Sequence, residues 1–373
     1  MSTTIRNNLE NSNDIFKPIF FRVQIKSDKE SLEALLIENP TIQVFDKIES
    51  QLHELIKIKN PSVSFSATEL QNALSTHLGN SQLNSYGVWV YYPWSKRLVH
   101  LLDEEEFIIV RTSRNHYKIT LEEQKTLSTK KVGVIGLSVG QSVSLTMAME
   151  RSFGEIRIAD FDTIDTTNLN RIRTGLHNIG IKKTVVTARE IAEIDPYLNV
   201  TCFHDGINEN NIDSFLTKEG TLDVLIDECD SLDVKILCRQ KAKMFQIPVI
   251  METSDRGMLD IERFDLEPDR SILHGLIDHL DIKQLKLAKT NAEKLPYILP
   301  ILGINTISQR LQKSMLEIGK TITTWPQLAS SVTMGGGIGA KVYRKIVLGE
   351  LCISGRFYID LDEIINSEIT VNY

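Results

Sequence analysis

The sequence is poor in cysteine, and what it has is placed for neither a metal nor a disulfide framework. Its four cysteines, Cys202, Cys229, Cys238 and Cys352, are far apart and form no CxxC pair. We therefore expect reduced, mostly buried thiols and no structural zinc. The histidines His100, His177 and His204 also lack metal-ligand spacing. Long apolar runs are missing too: no stretch of about 18 uninterrupted apolar residues occurs, so no membrane-crossing helix is expected. The opening MSTTIRNNLENSND has no apolar core behind a basic flank, which makes the cytoplasm the expected location. Basic charge is scarce, with a net charge of -7. That balance argues against a broad nucleic-acid or anionic-membrane surface. It disfavours nucleic acid as a partner, leaves tRNA open, and does not conflict with a local basic pocket.

What the sequence does have is enough apolar content, 42% of 373 residues, for at least one large core. Residues 1–17 are polar and read as a mobile terminus. Residues 18–109 read as a small accessory domain of mixed α/β character, in which Ile19–Ile25 is expected to be a strand and Thr41–Ile58 one amphipathic helix. Ser66 is expected to cap a helix that Gly79 ends, and YGVWVYYPWSKRLVHLL reads as two strands joined around Pro93 to Lys96. The aromatics Trp89, Tyr91, Tyr92 and Trp94 fit core and cross-strand packing better than a recognition surface.

From Lys131 strands and helices alternate. Strands are expected at 132–136, 156–160, 200–204, 222–227 and 248–252, and helices at 140–151, 182–194, 208–216 and 231–245. That rhythm means a parallel sheet covered on both faces, with ligands bound at the carboxyl ends of its strands. Within 110–373, this core occupies about 130–255 and is followed by a C-terminal part, 256–373. There, helices are expected over about 276–288 and 303–317, and MGGGIG (Met334 to Gly339) lets a helix approach a neighbouring backbone closely.

The first strand runs into GLSVGQ, where a full GxGxxG would need glycine at 138 and 141; Ser138 and Gln141 stand there instead. Part of the physical requirement survives. Gly136 permits a tight turn, Ser138 is small, and the helix beginning near Val139 offers free amides and a positive dipole end to a phosphate. Asp160 ends the second strand 24 residues after Gly136, at the spacing of a ribose-binding carboxylate. Asp162, Asn168, Asn170 and Arg171 crowd the loop that follows, and Lys183 opens the next helix. A nicotinamide needs a flat apolar slot, whereas a guanidinium, an ammonium and two amides suit a polyphosphate. The cluster therefore points to ATP. A nicotinamide- or flavin-linked oxidoreductase and a nucleotide-binding scaffold without catalysis are the alternatives.

The series GLSVGQS, DFDTIDTTNLNR, GIKK and DECD resembles the adenylating superfamily that includes ThiF, MoeB, the threonylcarbamoyladenosine dehydratases of tRNA and the ubiquitin-activating enzymes. The resemblance spans roughly Val110 to Glu267 and, more weakly, Trp325 to Glu350. It implies a Rossmann-like, doubly wound, mostly parallel sheet and an ATP-dependent adenylation of a carboxylate with release of pyrophosphate. The acceptor would be a protein, peptide or small-molecule carboxylate. Asp160 would hold the ribose, while Gly136, Ser138 and Val139 line the nucleotide. Asn168 and Arg171 would meet phosphates, with Asp162 and Asn170 beside them, and Lys183 would neutralise the α-phosphate. Asp230, with Ser231 next to it, would sit near Mg²⁺. Arg114 would reach the ATP site of a second subunit, implying a homodimer. No cysteine lies between Cys238 and Cys352, so a thioester step is not expected. Cys229 reads as a packed thiol, and Asp255 and Arg256 fall where acceptor-binding structure begins or where surface ion pairs form.

Overall fold

The computed structural model describes residues 13–281, 291–303 and 306–365. The described residues form two compact units, one running up to 124 together with 188–197, the other 125–187 together with 198 onward.

In the first unit β1 (Ile19–Phe21) is followed by α1 (Lys26–Glu38), β2 (Gln43–Asp46), α2 (Ile48–Lys59), α3 (Ala67–Leu78), β3 (Val88–Tyr92), β4 (Arg97–Leu101) and α4 (Glu104–Thr112). The four strands lie in the order β1-β3-β4-β2, with β2 parallel to β4 and the other pairs antiparallel. Ser66 caps α3 in a reciprocal capping box with Glu69, and Gly79 closes it, as its sequence predicts. Two expectations are corrected. The strand expected to reach Ile25 stops at Phe21 and gives way to α1. The helix expected from Thr41 begins only at Ile48, because Gln43–Asp46 pairs with β4 and the Asp46 carboxylate accepts the Ile48 amide at 3.3 Å. Tertiary pairing overrides the helical period there. The β3 aromatics pack inward: Tyr91 joins Phe21, Leu32 and Leu98, and Tyr92 joins Val88, Val90 and Ala192.

Next along the chain come α5 (Leu121–Leu127), then β5 (Lys131–Ile135), α6 (Gly140–Glu150) and β6 (Glu155–Ala159) of the second unit, and α7 (Lys183–Ile194). The second unit continues through β7 (Asn199–Phe203), α8 (Ile212–Thr217), β8 (Val224–Asp227), α9 (Leu232–Met244), β9 (Val249–Thr253) and β10 (Met258–Glu262). It ends with α10 (Asn291–Leu302), α11 (Gln309–Met315), α12 (Ala329–Val347), β11 (Gly355–Tyr358) and α13 (Leu361–Ile364). Its seven strands lie in the order β11-β10-β9-β8-β5-β6-β7. The five from β9 to β7 are parallel, whereas β10 and β11 extend the sheet antiparallel. β8 is wholly buried and β5 nearly so, which is why both read as uninterrupted apolar runs. The strand order reverses between β5 and β8, and their carboxyl ends open a crevice there.

The alternating core agrees with the expected elements to within a few residues at each boundary. The sequence did not signal β10 and β11. Of the helix expected over 276–288, residues 282–288 lie outside the described ones, and the described 276–281 form turns after the 3-10 turn Ile272–Gly275 and not a helix. The helix expected from Gly303 begins at Gln309, capped by Ser308. The glycine run falls inside α12. Its Gly335, Gly336 and Gly339 face β9 and α6, and a Cβ at Gly336 would lie 2.8 Å from the Ser142 Cβ.

Candidate nucleotide site

Gly136 follows β5 directly with φ +85°, a conformation that favours glycine. A Cβ there would stand 2.5 Å from the Glu228 carbonyl oxygen and 2.7 Å from the Cys229 nitrogen, so the bare Cα lets the ends of β5 and β8 approach. α6 then starts without a side-chain cap hydrogen bond, and its amino end faces the crevice.

Asp160 closes the other side of this turn. Its Oδ2 accepts the Leu137 amide at 2.7 Å and its Oδ1 the Asp162 amide at 2.8 Å. Each oxygen keeps a lone pair for a further donor. Burial raises the Asp160 pKa, and the nearby Lys183 charge opposes that rise. Lys183 sits at the start of α7, with its amide on the Asp162 carbonyl at 2.9 Å and its Nζ 2.7 Å from Asp162 Oδ2 and 4.0 Å from Asp160 Oδ2. It is 6% exposed, so it is no solvated surface lysine.

The loop between β6 and α7 carries the guanidinium. Arg171 Nε donates to Ser138 Oγ at 2.8 Å, and NH1 donates to Asn170 Oδ1 at 2.9 Å. Burial lowers the Arg171 pKa and the Asp230 charge raises it, which places Asp230 within electrostatic reach. Asn168 builds the loop: its Oδ1 accepts the Asp165 amide at 3.0 Å, and its carbonyl accepts the amides of Arg171 and Ile172. Asn170 Nδ2 donates to the Gln327 carbonyl at 2.7 Å, tying the loop to the segment before α12. Asp230 is exposed beside Ser231, the residue preceding α9.

Gly136, Ser138, Val139, Asp160, Asp162, Arg171 and Lys183 thus come together around one crevice, with Asp230 close by and Asn168 and Asn170 framing the loop. Arg114 is an exposed residue of the first unit, in the 3-10 turn Ser113–Asn115. Asp255 and Arg256 are held by the chain's own later segments: Asp255 accepts the Ser308 amide at 2.8 Å, and Arg256 Nε donates to Asp360 at 2.6 Å.

Sequence reasoning missed a buried polar layer below the crevice. Asp227, at the end of β8, pairs with Lys235 at 3.1 Å and with Arg239, which also bonds Glu262. Burial would raise the Asp227 pKa, but these two cations hold it well below the usual carboxylate range. The Cys229 thiol donates to Asp227 Oδ1 at 2.9 Å, and burial together with that carboxylate raises its pKa, as suits a packed thiol. Glu228 lies under the first turn of α6 and accepts the Glu252 amide at 3.1 Å. Burial and the facing Glu252 push the Glu228 pKa well up, and burial pushes that of Glu252 up to about 8. Both Glu252 carboxylate oxygens are buried without a hydrogen-bond partner. The acidic pair was legible only as DECD and a lone glutamate in METSD; nothing in their spacing joins them.

Among the described residues no group of three or more His, Cys, Asp or Glu is arranged to hold a metal ion, and no helix is long and apolar enough to cross a membrane.

The ThiF family model matches residues 112–315. The chain belongs to the ThiF family. It is 44% identical over 273 residues, 73% of its length, to an uncharacterized protein of Mycobacterium tuberculosis. It is 28% identical over 155 residues, 41% of its length, to the tRNA threonylcarbamoyladenosine dehydratase of Bacillus subtilis. It spans only 38% of the mycobacterial protein and 60% of the Bacillus one. Among solved structures it is similar to the Escherichia coli tRNA N6-threonylcarbamoyladenosine dehydratase in complex with ATP. That likeness has a TM-score of 0.45 and 16% identity, over 67% of this ThiF-family chain and 98% of the other.

Proposed function

We propose that this ThiF-family protein transfers the adenylyl group of ATP to a carboxylate, releasing pyrophosphate. Supporting this reading most directly is one arrangement: a buried lysine, a half-buried arginine and the open amino end of α6 converge beside the Asp160 turn at the sheet's switch point. Three positive groups around one crevice fit the charge of a triphosphate.

In this reading Asp160 accepts from the ribose hydroxyls and Gly136, Ser138 and Val139 line the nucleotide. A carboxylate oxygen of the acceptor attacks the α-phosphorus and the bond to the pyrophosphate oxygen breaks. Lys183 leaves its contact with Asp162 to stabilise the charge that develops at the α-phosphate, and Arg171 does so along the phosphate chain. Asp227 is occupied by Arg239 and Lys235, so exposed Asp230 is the carboxylate open to Mg²⁺, which binds through one or two carboxylates plus phosphates and waters. When bound there, Mg²⁺ would supply charge neutralisation to the leaving pyrophosphate. The protein acts as a homodimer in this proposal, Arg114 of one copy serving the site of the other. Residues 130–255 are the proposed nucleotide core, and 256–373 the acceptor and dimer part.

The test is ATP–pyrophosphate exchange across pools of peptide, tRNA-linked and small carboxylates, with mass spectrometry for the adenylate. Lys183→Ala should fold and lose roughly 100- to 1,000-fold of the exchange rate. A folded Lys183→Ala that exchanges at the full rate, or wild-type protein that binds NADH and not ATP, refutes the reading.

A further inference from the structure

The glycine fingerprint asks for small residues so that a backbone can approach phosphate and a helix can pack on a strand. This chain breaks it at two positions, and both side chains reach across to the same place. Ser138 Oγ accepts from Arg171 Nε at 2.8 Å. Gln141, 2% exposed in the first turn of α6, accepts the Arg173 amide on its Oε1 at 3.0 Å, with its Nε2 3.5 Å from the Arg173 carbonyl. Glycine at these positions would supply neither bond. The loop they grip begins at a 3-10 turn and carries exposed side chains on either side, Asn170 and Arg173. Held only by its own short-range bonds and the Asn170–Gln327 tie, neither of which fixes the guanidinium to the turn, it would leave the long Arg171 side chain to order itself at the moment of reaction, an entropic cost that preorganised groups avoid.

We propose that Ser138 and Gln141 are positioning residues: they clamp the Asn168–Arg173 loop onto the turn after β5 and the first turn of α6 and hold the Arg171 guanidinium aimed at the phosphate chain before nucleotide arrives. The altered turn is then a working substitute for the glycine fingerprint, with the clamp supplying the preorganisation. The inference rests on the reading that Arg171 serves a polyphosphate.

It makes a prediction opposite to that of a decayed nucleotide loop. Restoring the fingerprint with Ser138→Gly and Gln141→Gly lowers the exchange kcat by roughly 10- to 100-fold, the size of a lost hydrogen bond to a charged group, while KM for ATP moves by less than about threefold. Ser138→Ala shows part of this loss, because it removes the hydroxyl that accepts from Arg171 and leaves Gln141 in place. Deuterium exchange at the Arg173 amide, read without nucleotide, accelerates in Gln141→Gly. An exchange rate unchanged or raised by the glycines, or an Arg173 amide equally protected in Gln141→Gly, overturns the clamp. Wild-type protein that binds no ATP sinks the adenylation reading instead, and the Arg173 measurement still decides the clamp on its own.

Discussion

Gly335 and Gly337 are two residues apart on α12, and the same substitution to alanine should move stability in opposite directions. At Gly335 a new Cβ would fall 2.5 Å from the Glu252 Cδ, with Oε2 nearer still. Glu252 has little freedom to withdraw, being 3% exposed on a strand paired on both sides. Overpacking of this kind costs about 1–3 kcal/mol, against the roughly 0.5–1 kcal/mol that alanine gains over glycine within a helix. At Gly337 nothing lies within 4 Å and the position is exposed, so only the gain remains. For a unit of this size each kcal/mol shifts Tm by about 2–4 °C. Gly335→Ala is expected to lower the melting temperature by up to roughly 10 °C, and Gly337→Ala to raise it by roughly 1–4 °C. Calorimetry on both variants reads this directly. Glu252→Ala introduced into Gly335→Ala tests the cause, because truncating the facing side chain should recover much of the loss as a favourable coupling energy. Equal melting temperatures for Gly335→Ala and Gly337→Ala would mean that Glu252 does not face Gly335, and the packing described for α12 would be wrong.

Glu228 and Glu252 have raised folded pKa values, so their contribution to stability is complete below the ordinary carboxylate value and is lost as pH rises through the folded ones, about 8 for Glu252. Thermal melts from pH 6 to 9 should therefore fall more steeply for wild type than for Glu252→Gln; parallel curves would remove the pair from the linkage. Thiol labelling at pH 8 should modify exposed Cys352 first and Cys229 at least about tenfold more slowly, since burial and Asp227 suppress its thiolate; equal rates would contradict a packed Cys229. If Arg114 acts on the neighbouring subunit's site, mixing inactive Arg114→Ala with inactive Lys183→Ala under subunit exchange should restore about a quarter of wild-type exchange. Half of the dimers are then mixed, each with one intact site. No recovery despite verified mixing would place Arg114 elsewhere.

The doubly wound core was legible because burial on both faces forces β5 and β8 into apolar runs that end in polar residues, and because α7 between them keeps a 3.6-residue period. Asp160, Arg171 and Lys183 were legible by residue type and order. The parts that escaped depend on pairing across long separations. β2 looked helical because the hydrophobic pattern of α2 runs on into it, and only its partner β4 shows otherwise. β10 and β11 pair over nearly a hundred residues, from Met258–Ile261 to Gly355–Tyr358, with nothing local to announce it. The glycines of α12 signalled a close neighbour, but not that the neighbour is a buried carboxylate. Ser138 and Gln141 show the same limit most clearly. Along the chain each appears as a missing glycine, a loss measured against a fingerprint. Their hydrogen bonds to Arg171 and Arg173 span 33 and 32 residues, and only the folded loop turns the two losses into one gain. A fingerprint records the residues that let a backbone approach its ligand. It does not record side chains that hold the ligand's other partner in place, so a departure from it measures lost function only after the contacts of the replacing side chains have been traced.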